Sequence, residues 1–199
     1  MFTQESFEVF DIAGLDKRME AIRNEIQPVF KTIDETIKKE LEKELEETLY
    51  IHIAQHRRRS VYPPENTWSA ISSKKSGYKM EPHFQLGIWP EYVFMYLSII
   101  DKPPRKEQMA QQLLQNNLLL TQLPKDTVIN MDHTKNRYEF MVETNVKQAL
   151  ERLRDVKKGE FQIGRIIKKE SHLWQEPEKA MEYMLATYRS LIPYYELLQ

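Results

Sequence analysis

At Leu49 the hydrophobic repeat of this chain changes period. Before that point Leu15, Met19, Ile22, Ile26, Phe30, Ile33, Ile37, Leu41 and Leu45 recur at spacings of three and four. Such a stripe belongs to helix that buries one face. From Leu49 onward, Leu49, Ile51 and Ile53 alternate with Tyr50, His52 and Ala54, the pattern of a half-buried strand. Three more strands follow closely, over Thr67 to Ser73, Pro82 to Trp89 and Tyr92 to Ile100, with turns at Gly77 and Pro90. Connections this short cannot hold crossover helices, so the four strands form an antiparallel meander. A long amphipathic helical stretch in front of such a meander makes the fold class α+β.

The flanking elements fill in the order. Phe7 to Ile12 reads as a short strand, and Asp16 as the N-cap of the first helix. Pro28 should kink or break the long stripe. Pro103-Pro104 ends the meander and opens a helix whose inner face runs from Met109, Leu113 and Leu114 to Asn117 and Leu118. Thr127 to Met131 and Arg137 to Met141 read as two short strands around a polar turn. Val142 to Val156 traces another helix, with Gly159 as its C′ residue. Phe161 to Ile167 is a last strand, Gly164 marking a close approach or bulge. Pro177 opens the final helix, which Pro193 should kink. Helices packed on one face of a mainly antiparallel sheet is the economical solution. We read the whole chain, 1–199, as a single α+β domain.

Composition removes several functions. No cysteine occurs in 199 residues, so a thiolate metal site, an iron–sulfur cluster and a cysteine nucleophile are all excluded. Five glycines, against a usual ~7%, leave neither a dinucleotide fingerprint nor a phosphate loop. The longest near-apolar run, Tyr92 to Ile100, is too short to span a bilayer. Met1 to Asp11 is polar and lacks the apolar core of a secretory signal. The expectation is a cytoplasmic protein with no membrane partner, no metal and no cofactor.

Candidate functional residues gather in the meander. With the apolar residues of the strands turned to the helices, the other face carries Tyr50, His52 and His56, then His83 and Gln85, with Trp89, Tyr92 and Tyr96 as possible extensions. His52 and His56 are four strand residues apart, roughly 13 Å at strand rise, too far to share a metal. The stronger signal is charge. Between His56 and Lys79 stand Arg57, Arg58, Arg59, Lys74, Lys75 and Lys79 against the single acid Glu65, a local net of +5. Arginine forks onto carboxylate or phosphate and lysine adds a point charge. These loops should border one edge of the sheet, with His56, Tyr78 and His83 alongside, and hold an anionic small molecule or nucleic acid. The competing readings are a solvated loop, a hydrolase or phosphate-handling enzyme using His52, His56 or His83, and a protein–protein module. The last would use the acidic helix, where seven acids and four lysines lie between Lys31 and Glu47, or the aromatic carboxy-terminal helix. Asn130-Met131-Asp132-His133 reads as turn chemistry.

One resemblance covers nearly the whole length. His52-Ile53-Ala54-Gln55-His56-Arg57-Arg58-Arg59-Ser60-Val61-Tyr62-Pro63-Pro64, Thr67-Trp68 and Gly77-Tyr78-Lys79-Met80-Glu81-Pro82-His83-Phe84-Gln85-Leu86-Gly87 resemble the signature of the YktB-like family of uncharacterised Firmicutes proteins. Phe7-Glu8-Val9-Phe10, Gly14-Leu15-Asp16-Lys17-Arg18-Met19 and Val156-Lys157-Lys158-Gly159-Glu160-Phe161 extend the likeness. Tyr62 stands where the family pattern has Asn, and Ser76 where it has Arg, which removes one positive charge from the basic loops. The resemblance implies a fold similar to the TATA-binding-protein-like α+β class, a curved antiparallel sheet gripping helices. It implies no activity and no catalytic residues.

Overall fold

The computed structural model describes residues 1–199. The helical stripe forms as its spacing requires: α2 (Leu15–Ala21) runs through a π-helical turn (Ile22–Ile26) into α3 (Gln27–Leu45). Pro28 stands just past the π-helical turn, and that widened turn is where a continuous helix can accommodate a residue without an N–H, so the stripe continues past it. Ile22, Ile26, Phe30, Ile33, Ile37 and Leu41 are all buried.

Phe7 to Ile12 is not a strand. It forms α1 (Gln4–Glu8) followed by a single 3₁₀ turn (Val9–Asp11). The Thr3 N–H donates to the Ser6 hydroxyl at 3.1 Å, fixing the start of the helix. Helical geometry then puts Phe7 and Phe10, three apart, on one buried side, a spacing that an alternating strand would split between two faces. Gly14, at φ +87°, is the N-cap of α2, and Asp16 sits in its first turn. Glycine suits that position because a positive φ strains any residue with a Cβ.

The meander forms as β1 (Tyr50–Ile53), β2 (Thr67–Ser72), β3 (His83–Ile88) and β4 (Tyr92–Ile99). After it come α4 (Lys106–Gln115), the short α5 (Asn117–Leu120), β5 (Val128–Asn130), β6 (Glu139–Phe140), α6 (Val146–Asp155), β7 (Phe161–Lys168) and α7 (Pro177–Leu197). All pairings are antiparallel, in the order β1-β2-β3-β4-β7-β5-β6. The helix after the double proline ends at Asn116, so Leu118 points to solvent instead of the inner face. Gly159 is not a C′ residue, since Val156 already caps α6. α7 runs through Pro193.

Helices pack on one face. α3 lies on β1 and β2, α7 on β4 and β7, and α6 on β7, burying a core of 38 residues. Phe84, Leu86 and Ile88 of β3, and Val93, Met95, Leu97 and Ile99 of β4, point into it. The alternate residues face the other way. There Trp89, Tyr92, Phe94, Tyr96 and Val128 form a second apolar cluster, flanked by Trp68, Tyr138 and Phe140. Gly87 makes room for it, because a Cβ there would lie 2.0 Å from the Phe94 ring. This second face is not the solvent-open polar surface that alternation suggests. His83, Gln85 and Tyr96 are almost wholly buried, beneath the β1–β2 and β2–β3 connections and the β5–β6 excursion. No helix is long and apolar enough to cross a membrane.

Candidate functional site

The second face opens at one place. A pocket of about 650 Å³ lies between the β1–β2 connection, the 3₁₀ turn at Tyr78–Met80, Asp101 and the β5–β6 turn. Its wall is the indole of Trp68, which β2 projects from the face away from the helices. The Trp68 Nε1–H donates to the Tyr78 hydroxyl at 2.9 Å. Around the indole stand Lys79, with Nζ 5.4 Å from the ring, His56 with its ring at 5.5 Å and His133 at 6.4 Å. Trp89 and Asn66 also line the space.

Of the residues that the sequence singled out, His56, Arg57, Arg58, Arg59, Tyr78 and Lys79 come together on this pocket. Lys74 and Lys75 do not. Lys74 turns toward Glu81, with Nζ 3.8 Å from Oε2. His52 stacks on Tyr78 at 5.1 Å and places Nε2 2.8 Å from the Lys74 carbonyl, outside the pocket lining. His83 is buried beneath the Tyr78 ring, 4.9 Å away. Its Nδ1–H donates to the Glu81 carbonyl at 2.8 Å, and Nε2 accepts from the Gln85 amide at 3.2 Å. Gln85 Oε1 in turn accepts from Ser98 and Gln162, at 3.1 and 2.9 Å. Burial pushes the His83 imidazole down to about 4, so it is neutral at physiological pH. With both nitrogens engaged, His83 holds the sheet together and has no free atom for a ligand. Gln85 and Gln162 line a small enclosed cavity below the pocket, shared with Asn130, Tyr96 and His133.

The pocket is cationic in balance. Arg57, Arg58, Arg59 and Lys79 stand against Glu65 and Asp101. Lys79 and Asp101 pair at 2.9 Å, and that contact holds the Asp101 carboxyl below its usual range. The three arginines are exposed, and none has a carboxylate within ion-pair distance. Burial and the Arg59 charge drive His56 down to about 4, so its contribution is a neutral ring bonded to Thr67 Oγ1 at 3.0 Å. His56 and Asp101 both have left-handed backbones, φ 48° and 59°. That conformation is uncommon outside glycine, and it gathers at functional clefts.

Sequence reasoning missed the far wall. The Asn130–Thr134 segment is a turn, as its composition implies: Asn130 Oδ1 accepts the Asp132 N–H at 2.8 Å and Asp132 Oδ1 accepts the Thr134 N–H at 3.0 Å. The same turn carries His133 into the pocket, against Glu160. Asp132, His133 and Glu160 offer donor atoms within 4.8 Å of one another; Asp132 Oδ1 is engaged by Thr134, and both Glu160 oxygens by backbone N–H groups and the imidazole. An Asp-His pair in a polar turn was the visible signal. Its partner Glu160 lies 27 residues on, and no spacing rule joins them.

The model of the family described as "Domain of unknown function (DUF1054)" matches residues 2–195. The chain belongs to this family. Within it, the chain is 57% identical over 197 residues to a UPF0637 protein of Enterococcus faecalis, covering 99% of this chain and 97% of that one. It is 48% identical over 199 residues to a UPF0637 protein of Lactococcus lactis subsp. cremoris, and 44% over 198 residues to one of Exiguobacterium sibiricum. In both cases all of this chain and 98% of the relative are covered. The match spans the DUF1054 region from α1 to α7, with the pocket inside it, and is consistent with the YktB-like resemblance.

Proposed function

We propose that this protein is a binding module for a small phosphate-bearing ligand that carries a planar ring, held in the pocket beside Trp68. The observation that carries this reading is the company of Arg57, Arg58 and Arg59. They border one aromatic-walled cavity and have no carboxylate partner. Unpaired guanidinium groups next to a half-buried indole suit phosphate on one side and a π-face on the other. A volume of about 650 Å³ lies in the usual range for small-ligand sites. It is an open recess bordered by four cations, not a long basic track, which favours a mononucleotide-sized ligand over a nucleic-acid strand.

Tryptophan fluorescence provides the test, because Trp68 and Trp89 both line the cavity. Titration with pyrophosphate and with nucleoside mono- and diphosphates should change the emission saturably. The Arg57→Ala/Arg58→Ala variant should bind at least tenfold more weakly, since each charge-assisted hydrogen bond contributes about 1.5–3 kcal/mol. Labelled oligonucleotides, followed by anisotropy, should show affinity no better than a mononucleotide. Wild-type affinity in the double variant returns the arginines to solvent and ends the proposal. Oligonucleotides that bind far more tightly than mononucleotides move the ligand class to nucleic acid.

A further inference from the structure

His133 and Glu160 form a pair that anion binding alone does not use. His133 Nδ1 lies 2.7 Å from Glu160 Oε2. The same carboxylate is fixed by two backbone donors, the His133 N–H at 2.9 Å to Oε2 and the Asp101 N–H at 3.1 Å to Oε1. Burial raises the Glu160 carboxyl, but the hydrogen bonds it accepts from the His133 ring and from the His133 and Asp101 backbone outweigh it and hold the group below its usual range. An ionised carboxylate only accepts. The Nδ1 position must therefore carry the proton, and the tautomer is set. Nε2, across the ring, has no protein partner, while the side chain lines both the pocket and the small cavity under it. A histidine with one nitrogen oriented by a carboxylate and the other free in a cationic cleft is arranged for proton transfer.

Resting on the anion-pocket reading above, we propose that the pocket hydrolyses nucleotide-type phosphoesters, with His133 as the general base and Glu160 as its positioning residue. Water is the nucleophile. The chain has no cysteine, the Thr134 hydroxyl on the pocket wall commits its proton to Asp132 Oδ1 at 2.6 Å, and the Tyr78 hydroxyl is engaged by Trp68. His133 Nε2 takes a proton from water as its oxygen bonds to phosphorus. The bond from phosphorus to the ester oxygen breaks on the opposite, in-line side of phosphorus, where solvent water protonates the leaving oxygen, and the imidazolium then releases its proton to solvent. One water is consumed, phosphate and alcohol are released, and nothing is oxidised or reduced. Arg57, Arg58 and Arg59 stabilise the charge spreading over the phosphoryl oxygens, and Trp68 or Trp89 stacks on the ring of the leaving group.

The test uses p-nitrophenyl phosphate and bis(p-nitrophenyl) phosphate as chromogenic probes, then nucleoside mono- and diphosphates with product chromatography. Wild type should turn over at least one of them. His133→Gln should lower kcat by roughly 10²- to 10⁴-fold, the usual share of general acid–base catalysis, with KM and pyrophosphate binding near wild type. Imidazole added to His133→Gly should restore part of the rate, which a purely structural histidine would not allow. Glu160→Gln should lower kcat at least tenfold. Heavy-oxygen water must label the phosphate in the wild-type reaction, a readout that stands if the variants do not fold. Label in the alcohol overturns the mechanism, and so does wild-type turnover in His133→Gln. Wild-type protein that binds pyrophosphate yet hydrolyses none of the probes or nucleotides overturns the hydrolytic proposal and leaves anion binding intact. Failure to bind as well overturns both.

Discussion

Asp34 shows how a single residue can oppose the fold that contains it. It lies on the buried stripe of α3, 1% exposed, and neither carboxyl oxygen has a hydrogen-bond partner. The Ser69 hydroxyl donates to the Leu86 carbonyl at 3.3 Å. Burial pushes the Asp34 carboxyl up to about 7. In the unfolded chain the group titrates near 4. Between those values the folded state holds a proton that the unfolded state has lost, so stability falls as pH rises. The loss is roughly 1.4 kcal/mol per pH unit and levels off above about pH 7. Asp34→Asn cannot ionise, so its thermal midpoint should exceed that of wild type at pH 8, the advantage shrinking toward pH 5. Melting curves across that range decide it, and parallel curves for the two proteins would show that Asp34 is not the titrating group. The sequence concealed this acid among seven between Lys31 and Glu47. The helical stripe passes through Ile33 and Ile37, and position 34 falls close enough to its edge to be swept inside. Periodicity indicates which face is buried, but it does not say how wide the buried face is.

At the scale of elements, what was legible followed from the interval over which a signal acts. The meander was readable because period-two alternation, short connections and the Gly77 and Pro90 turns are all local, and the observed strands differ from the expected ones by a residue or two at their ends. The first segment escapes a sequence reading because Phe7 and Val9 alternate as in a strand while Phe7 and Phe10 share a helical face, and the Thr3–Ser6 bond that starts the helix is a side-chain detail. The sequence leaves Gly164 as a close approach or a bulge, and the structure decides for the close approach. A Cβ at this central position of β7 would sit 1.9 Å from the Met95 carbonyl oxygen. Its φ is not positive, so the constraint is purely steric. Gly164→Ala must push β7 away from β4 or bend it, at a cost of about 1–3 kcal/mol. Urea unfolding should show a lower midpoint with little change in slope, whereas an unchanged midpoint would mean that the two strands part without penalty. The candidate site was half legible for the same reason. Arg57 to Arg59 and Tyr78–Lys79 are runs in the sequence, while the pairing of Lys79 with Asp101 exists only once β3 lies beside β4, and that of His133 with Glu160 only once β5 lies beside β7.

Over the whole molecule, one sheet serves two apolar layers with the same strands. β4 gives Val93, Met95, Leu97 and Ile99 to the helical core, and Tyr92, Phe94 and Tyr96 to the aromatic cluster behind it. Neither layer can be lost without exposing the strand that anchors the other, since apolar burial is the main favourable contribution in both. The helical core also draws on the two ends of the chain, from Phe2 and Phe7 to Leu198. Residues 1–199 should therefore unfold in one cooperative transition, with far-ultraviolet circular dichroism and tryptophan emission superimposing. The segment between Ala54 and Asn66 is different. It is held by few backbone bonds, among them the Arg59 N–H to the His56 carbonyl at 2.9 Å, and by Arg18 donating to the Pro64 carbonyl at 3.1 Å. Val61 and Tyr62 on it are 68% and 76% exposed. Segments with so few buried contacts open locally, well below the global unfolding free energy. Hydrogen exchange should thus find amides of β3, β4 and β7 exchanging last and together, and those of residues 55–65 exchanging early. Pyrophosphate, bound by Arg57 to Arg59, should slow the early set and leave the late set unchanged. Two separated melting transitions would divide the molecule into independent units. Protection spread evenly over the sheet, and not confined to the arginine loop, would place the ligand somewhere other than the pocket beside Trp68.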